Sequence, residues 1–218
     1  MKIRFLGHAA FLITTAGGAK IVTDPYEPGG FGGAIGYGPL TEPADVVVVS
    51  HDHADHNYVD MVPGKPAIVR GTRGQSVRGV AFRAVATHHD AAGGRQRGEN
   101  VVWMMEADDV RLCHLGDLGH TLTADQVAAL GGVDVLMVPV GGTFTVDAEG
   151  ATEVVNAVKP HIAIPMHYQT PKLGFHLAGV DEFLAGKARV RRVGGPEIEV
   201  TKETLPEPTE IVVLEPAL

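Results

Sequence analysis

One cysteine, Cys113, is all the chain has, so no disulfide can form within it and cysteine usage names no redox compartment. On an apolar strand pattern it reads as a buried structural residue. No apolar run approaches the roughly 20 residues of a membrane helix. The opening Met1-Lys2-Ile3-Arg4-Phe5-Leu6-Gly7-His8 starts a strand pattern and has no apolar signal-peptide region. A soluble cytoplasmic protein without a membrane partner is the expectation. Positive charge is also short: 18 Lys and Arg face 26 Asp and Glu, a formal net charge of −8. That balance argues mildly against DNA or RNA as the main partner; the partner expected is a small-molecule substrate. The Gly-rich stretches 29–38 and 93–98 are not phosphate loops, because neither runs from a strand into a capped helix with the required Lys or Ser/Thr.

What is present suffices for one domain. The 218 residues are 44% hydrophobic, enough for a real core, and no linker or composition shift divides them, so 1–218 is read as a single domain. Alternating or continuous apolar runs predict strands over 2–7, 10–15 and 19–23, an opening antiparallel meander, and again over 46–49, 67–70, 79–87, 101–106 and 110–115. Thr123 with Gln126 forms a capping-box pattern for a helix to Leu130, and Asp147 caps a helix over 148–158. Strands over 133–138 and 161–165, a helix near 180–185, and strands near 188–193, 197–201 and 210–214 complete the chain. Residues 26–42, with six glycines, form a long loop beside a strand end, a common seat of substrate contacts.

The most informative stretch follows Val46-Val47-Val48-Val49. Residues 50–57 read Ser-His-Asp-His-Ala-Asp-His-Asn, so a buried strand delivers His51, His53, Asp55 and His56 into one loop. A buried cluster of imidazoles needs a partner for each nitrogen, and a divalent metal is the partner they most often serve. His51 and His53 are two apart and project the same way from an extended chain, and Asp55 continues the alternation. Other strand-like runs also end in ligand-type residues, at Asp24, His88-His89, Asp117 and His167. Ligands at successive strand ends can converge on one edge of a sheet structure.

The HxHxDH segment resembles the signature of the metallo-β-lactamase superfamily. Thr23-Asp24-Pro25 looks like that family's bracing aspartate, His89 like its next histidine, Asp117 in Leu-Gly-Asp-Leu like its bridging carboxylate, and His167 in Ile-Pro-Met-His-Tyr like its last ligand. Periodicity alone gives only α/β or α+β. The resemblance implies an α+β, four-layer αββα sandwich, with two mixed sheets face to face and helices outside. It also implies two divalent ions: His51, His53 and His89 on the first, Asp55, His56 and His167 on the second, and Asp117 bridging. Zinc is the first expectation, and a nitrogen–oxygen donor set also permits manganese or iron. His88 remains the alternative to His89.

The implied activity is hydrolysis by a metal-bound hydroxide of a small, anionic ester, lactone or phosphodiester, with Asp55 orienting the nucleophile and moving its proton. His114 and His120, which flank Asp117, are candidate proton donors or substrate contacts. His8 is expected near the site, Tyr168 in the pocket wall, and Arg95 and Arg97 beside the site loop; His161 and His176 read as ordinary. The motifs look most like a small hydrolase branch related to ascorbate-6-phosphate lactonase-like proteins. The chain lacks the large insertion of the β-CASP nucleases and the basic arm of the tRNA-processing nucleases, which argues against those branches; a nuclease-type phosphodiesterase is one alternative to the small-substrate hydrolase. A metal-binding sensor or scaffold without catalysis is the other. The oligomeric state is not legible.

Overall fold

The computed structural model describes residues 1–218. Two mixed sheets pack face to face. The first has six strands in the order β13-β1-β2-β3-β4-β5 and the second eight, β12-β14-β11-β10-β9-β8-β7-β6. The first sheet comprises β1 (Lys2–Gly7), β2 (Ala10–Thr14), β3 (Lys20–Thr23), β4 (Val46–Val48), β5 (Ala67–Val69) and β13 (Glu197–Glu199). Its β1-β2-β3 meander is antiparallel, as expected, and β3, β4 and β5 run parallel. The second comprises β6 (Gln75–Val77), β7 (Val80–His88), β8 (Glu99–Ala107), β9 (Val110–His114), β10 (Val135–Pro139), β11 (Ile162–Met166), β12 (Val190–Arg192) and β14 (Glu210–Val213). The helices are α1 (Gly30–Gly33), a single distorted turn, then α2 (Ala124–Leu130), α3 (Ala148–Val158) and α4 (Val180–Leu184).

Side-chain alternation sorts the first sheet's residues between two cores. Ile3, Phe5, Phe11, Ile13, Ile21, Val46 and Val48 point inward and join the main core against the eight-stranded sheet. Leu6, Ala10, Leu12, Val22 and Val47 point outward into a smaller cluster. No helix of ordinary length covers that outer face. Tyr26, Ile35 and Tyr37 of the long loop, with Leu173 and Leu177, bury it instead, so the layer outside the six-stranded sheet is made of coil. The longer helices lie on the eight-stranded sheet, where α2 packs against β7 and α3 against β10, with α4 against α3. α3 buries Ala151, Val154 and Val155, the i, i+3, i+4 stripe of an amphipathic helix. The Thr123–Gln126 capping box and the Asp147 cap both form.

One strand has no sequence signal. β6 carries Gln75 and Ser76 on an exposed edge, so it lacks an apolar alternation, and it is set by a two-residue turn. Arg78 and Gly79 both have positive φ, 53° and 78°, as a tight hairpin demands. No helix is long and apolar enough to cross a membrane.

Candidate metal centre

Six chain segments end at one edge of the sandwich. β1 delivers His8, β3 Asp24, β4 the 50–56 loop, β7 His89, β9 Asp117 and β11 His167. Three of these residues leave their strands in the left-handed region: His8 at φ 56°, Asp24 at 39° and His167 at 52°. A non-glycine residue there costs on the order of 1 kcal/mol or more, and such strain collects at functional sites. The turn is shared, since the His167 N–H donates to the His8 carbonyl at 2.8 Å.

The imidazoles fall into two trios. His51, His53 and His89 have ring centroids 4.5, 4.9 and 5.2 Å apart. His8, His56 and His167 have centroids 4.2, 5.1 and 5.9 Å apart. Asp117 sits between them. Its Oδ2 lies 3.1 Å from His89 Nε2, 3.3 Å from both His56 Nε2 and His167 Nε2, and 4.0 Å from His51 Nε2. Asp55 joins the second trio through Oδ2, 3.1 Å from His8 Nε2 and 3.6 Å from His56 Nε2. The structure thus brings together His51, His53, His89 and, separately, His8, Asp55, His56, His167, each as a group whose ligand atoms converge. It puts His89 in the cleft and His88 outside it, with the His88 ring against His120.

Asp24 fixes which ring nitrogens face the cleft. It is buried, and its carboxylate accepts the Ser50 N–H at 2.7 Å, the Ser50 hydroxyl at 2.6 Å and His56 Nδ1–H at 3.1 Å. With its proton given to Asp24, Ser50 Oγ accepts His51 Nδ1–H at 2.9 Å. One carboxylate therefore leaves both His51 and His56 with an Nε2 lone pair aimed inward. Both Nε2 atoms and Asp117 Oδ1 are buried without a hydrogen-bond partner. Buried polar atoms are rarely left so.

The electrostatics favour a cation. Burial opposes charge on His56, but the Asp117 and Asp55 carboxylates outweigh it and hold its pKa well above the ordinary value, so without an ion a proton takes the Nε2 position that a cation would fill. Burial likewise opposes charge on Asp117, yet His167 and His56 hold its carboxyl well below the ordinary range. His51, buried and beside His56, falls to about 3. Inward lone pairs, unpartnered donors and an all-nitrogen-and-oxygen set fit divalent ions of the zinc, manganese or iron type.

Neighbouring residues hold Asp117 in place. Buried Asn100 donates to Thr87 Oγ1 and the Leu115 carbonyl, and its Oδ1 accepts the Asp117 N–H at 3.0 Å. Gly116, at φ 55°, lets these parts close. A Cβ there would sit 2.4 Å from Asn100 Oδ1 and 2.6 Å from Ser50 Cβ. Gly116→Ala should therefore cost about 3 kcal/mol by overpacking and strain together. In a thermal melt that is a drop of about 6–12 °C for a domain of this size.

The loop after β7 has its own organiser. Asp90 accepts backbone N–H groups from Ala92 and Gly94 on one oxygen and from Gln96 and Arg97 on the other. Desolvation works against its charge, but these four donors win and hold its pKa at about 2. The linked stability is complete above the ordinary 3.8 and is lost as the pH falls toward 2.

Three expected site residues lie elsewhere. His114 donates Nε2–H to the Ala9 carbonyl at 2.9 Å, and its Nδ1 accepts the Gly116 N–H at 3.1 Å, so it is a buried brace behind the loop. His120 accepts the His88 N–H on Nε2 and donates Nδ1–H to the Thr121 carbonyl, so no ring nitrogen is free for substrate. Tyr168 turns away from the cleft, and its hydroxyl donates to the Leu214 carbonyl inside the core. His120→Gln is accordingly expected to leave kcat/KM within about threefold of the parent, a shift below 1 kcal/mol. Sequence reading missed Asn100, though an Asn amid strand residues is a usable signal. It also gave Ser50 no role.

The cleft over the two trios has a volume of about 520 Å³ and is lined by Asp55, His89, Asp117, His167 and Arg97 together with Phe31, Phe144 and Phe175. Arg97 donates to the Thr143 carbonyl and lies over the Phe144 ring, while Arg95 is exposed and outside the cleft.

Residues 2–167 match the family model described as a beta-lactamase superfamily domain. The chain is 33% identical over 202 residues to a UPF0173 metal-dependent hydrolase of Carboxydothermus hydrogenoformans, an alignment covering 78% of this chain and 85% of that one. A crystal structure from Thermotoga maritima, of a candidate Zn-dependent hydrolase of the metallo-β-lactamase superfamily, superposes with a TM-score of 0.79 at 36% identity, covering 98% of both chains. The metallo-β-lactamase fold protein YhfI of Bacillus subtilis, at 11% identity and a TM-score of 0.62 over 100% of this chain and 98% of that one, shares the fold alone.

Proposed function

The chain belongs to the β-lactamase superfamily and is a metal-dependent hydrolase, and on that premise we propose that it uses two divalent ions to cleave a small anionic ester, lactone or phosphodiester. The observation that carries this reading is the placing of Asp117 Oδ2 within 3.1–4.0 Å of four imidazole Nε2 atoms drawn from two trios. A single carboxylate between two nests of nitrogen donors is what a bridged pair of ions requires. His51, His53 and His89 would hold one ion, and Asp55, His56 and His167 the other. Zinc suits the donors best, and manganese or iron also fit. When bound, such ions supply Lewis acidity that acidifies water and polarises a substrate oxygen.

The chain's own residues do the rest. His8 is buried and, through burial and its neighbour His167, has a pKa lowered to about 4, so it is neutral at pH 7 and donates Nε2–H to Asp55 Oδ2 at 3.1 Å. That bond orients Asp55 and leaves its second oxygen to hold or accept a proton near the scissile group. Two doubly charged ions against the Asp55 and Asp117 carboxylates leave the cleft cationic, which favours an anionic substrate despite the chain's net charge of −8. Arg97 on the cleft wall adds a fixed positive charge. A cytoplasmic setting belongs to the same reading.

The test is turnover on a panel of esters, lactones and bis-phosphodiesters, with protein stripped by chelator and then reloaded with Zn²⁺ or Mn²⁺. Activity should vanish on stripping and return with about two equivalents of metal. Tight metal binding with no turnover on any class would favour a sensor. Turnover confined to oligonucleotides would favour a nuclease.

A further inference from the structure

Four of the chain's seven phenylalanines, Phe5, Phe11, Phe82 and Phe183, are fully buried in the core. The other three, Phe31, Phe144 and Phe175, all line the cleft above the metal centre. They come from three separate loops and meet edge to face: Phe31 and Phe144 lie 5.4 and 5.9 Å from Phe175, at 71° and 75°. Phe175 in turn lies 6.1 Å from the His8 ring, so the aromatic wall runs directly into the second trio.

Phe31 is the least expected of the three. It is 55% exposed, one of only two large hydrophobic side chains so placed. It also stands at φ 53°, ψ 44°, a left-handed conformation that is an outlier for a bulky residue. Its neighbours are Gly29, Gly30, Gly32 and Gly33. A strained, half-bare phenyl ring on a glycine run is costly unless something apolar covers it. Its side chain adds nothing to either buried core.

We propose that the substrate carries a hydrocarbon arm, aryl or acyl, which packs against Phe31, Phe144 and Phe175 while its scissile group lies over Asp117. The site is then divided. Two nests of imidazoles serve the charged, reacting end, and three rings, one of them covered by the Arg97 guanidinium, serve the apolar end. The glycines on both sides of Phe31 let that ring settle onto arms of different thickness. This inference rests on the hydrolase reading for the position of the scissile group, and it narrows the substrate from any small ester to an apolar-armed one.

Binding of simple acids separates the two readings. Acetate, hexanoate and 4-phenylbutyrate share one carboxylate and differ only in the arm, so calorimetric titration of each into the zinc-loaded protein isolates the apolar contribution. Hexanoate or phenylbutyrate should bind at least tenfold tighter than acetate, the scale set by burying a side-chain-sized hydrocarbon. The better of the two identifies the arm as acyl or aryl. Phe31→Ser lies on an exposed loop outside both cores and should cut the advantage to threefold or less while leaving acetate binding and metal content unchanged; Phe175→Ala, which also borders the smaller core and His8, should cut the advantage as well. A matched series of ethyl, hexyl and phenylbutyl esters should show the same ranking in KM more than in kcat. Equal affinities for the three acids, or an advantage that survives both substitutions, would overturn the proposal. Hydrolysis of short and long esters at equal KM would also overturn it while leaving the hydrolase reading intact. An absence of all turnover would sink the hydrolase reading, and the acid titrations would still decide on the aromatic wall.

Discussion

Asp117→Ala is expected to lower hydrolysis by about a thousandfold or more, equivalent to about 4 kcal/mol of lost transition-state stabilisation. The reason is geometric. Asp117 alone is close to both trios, and its Oδ2 is the atom around which His56, His89 and His167 gather at 3.1–3.3 Å. In the proposed two-ion site, removing it would take a shared ligand from both ions at once, so at least one equivalent of metal should also be lost. His51 and His56 keep their own supports in Ser50 and Asp24, and Asp117 belongs to neither hydrophobic core, so the fold should survive. Thermal melts with and without Zn²⁺ distinguish these effects. The parent's melting temperature should climb with added metal, as it must for any ligand that binds the native state. The variant's should climb far less while its metal-free melt stays cooperative. A variant that keeps both ions and more than a tenth of the activity would show that Asp117 is no bridge.

Asp24→Ala carries the second-largest expected effect, and it acts without any contact with substrate. Its carboxylate accepts three hydrogen bonds and, through Ser50, sets the ring nitrogens of both His51 and His56. Without it the Ser50 N–H and the His56 Nδ1–H are buried and unpaired, a loss of about 3–5 kcal/mol. Metal affinity should fall 10–100-fold, as it does when the partner of a ligating histidine is removed. The acid limb of stability gives an independent readout. Burial alone would raise the Asp24 pKa, but His114 and His56 bring it below the ordinary 3.8. A carboxyl lowered in the folded state adds stability that is complete above its unfolded value and is lost as the pH falls through its folded one. Metal-free parent protein should therefore lose stability below about pH 4, and Asp24→Ala should lose less over the same range. Identical acid limbs would mean that Asp24 carries no charge-linked stability.

The strands and the ligand loop were legible because both rest on local patterns, while the sandwich that joins them was implied only by the family resemblance. The apolar run at Val46–Val48 leads straight into four ligand-type residues, and the strand alternation at Ile3, Phe5, Phe11 and Ile13 marks one face of a sheet. The Thr123 and Asp147 caps mark helix starts in the same way. Less legible was anything that depends on contact between distant segments. Asn100 lies in a strand and matters only because folding brings Asp117 and Leu115 to it. His114 and His120 flank Asp117 in sequence, but backbone groups at Ala9 and His88 claim their ring nitrogens, and proximity along the chain says nothing about that. Tyr168 follows His167, yet His167 leaves its strand at φ 52° and the chain turns Tyr168 into the core. The aromatic wall was hidden for the same reason, since Phe31, Phe144 and Phe175 belong to loops with no period.

Anomalous diffraction at the zinc edge, from crystals of the chain grown with Zn²⁺, tests the central claim most directly. Two peaks about 3.5–4 Å apart are predicted, one against His51, His53 and His89, the other against Asp55, His56 and His167, with Asp117 touching both. A single peak, or two peaks remote from Asp117, would contradict it.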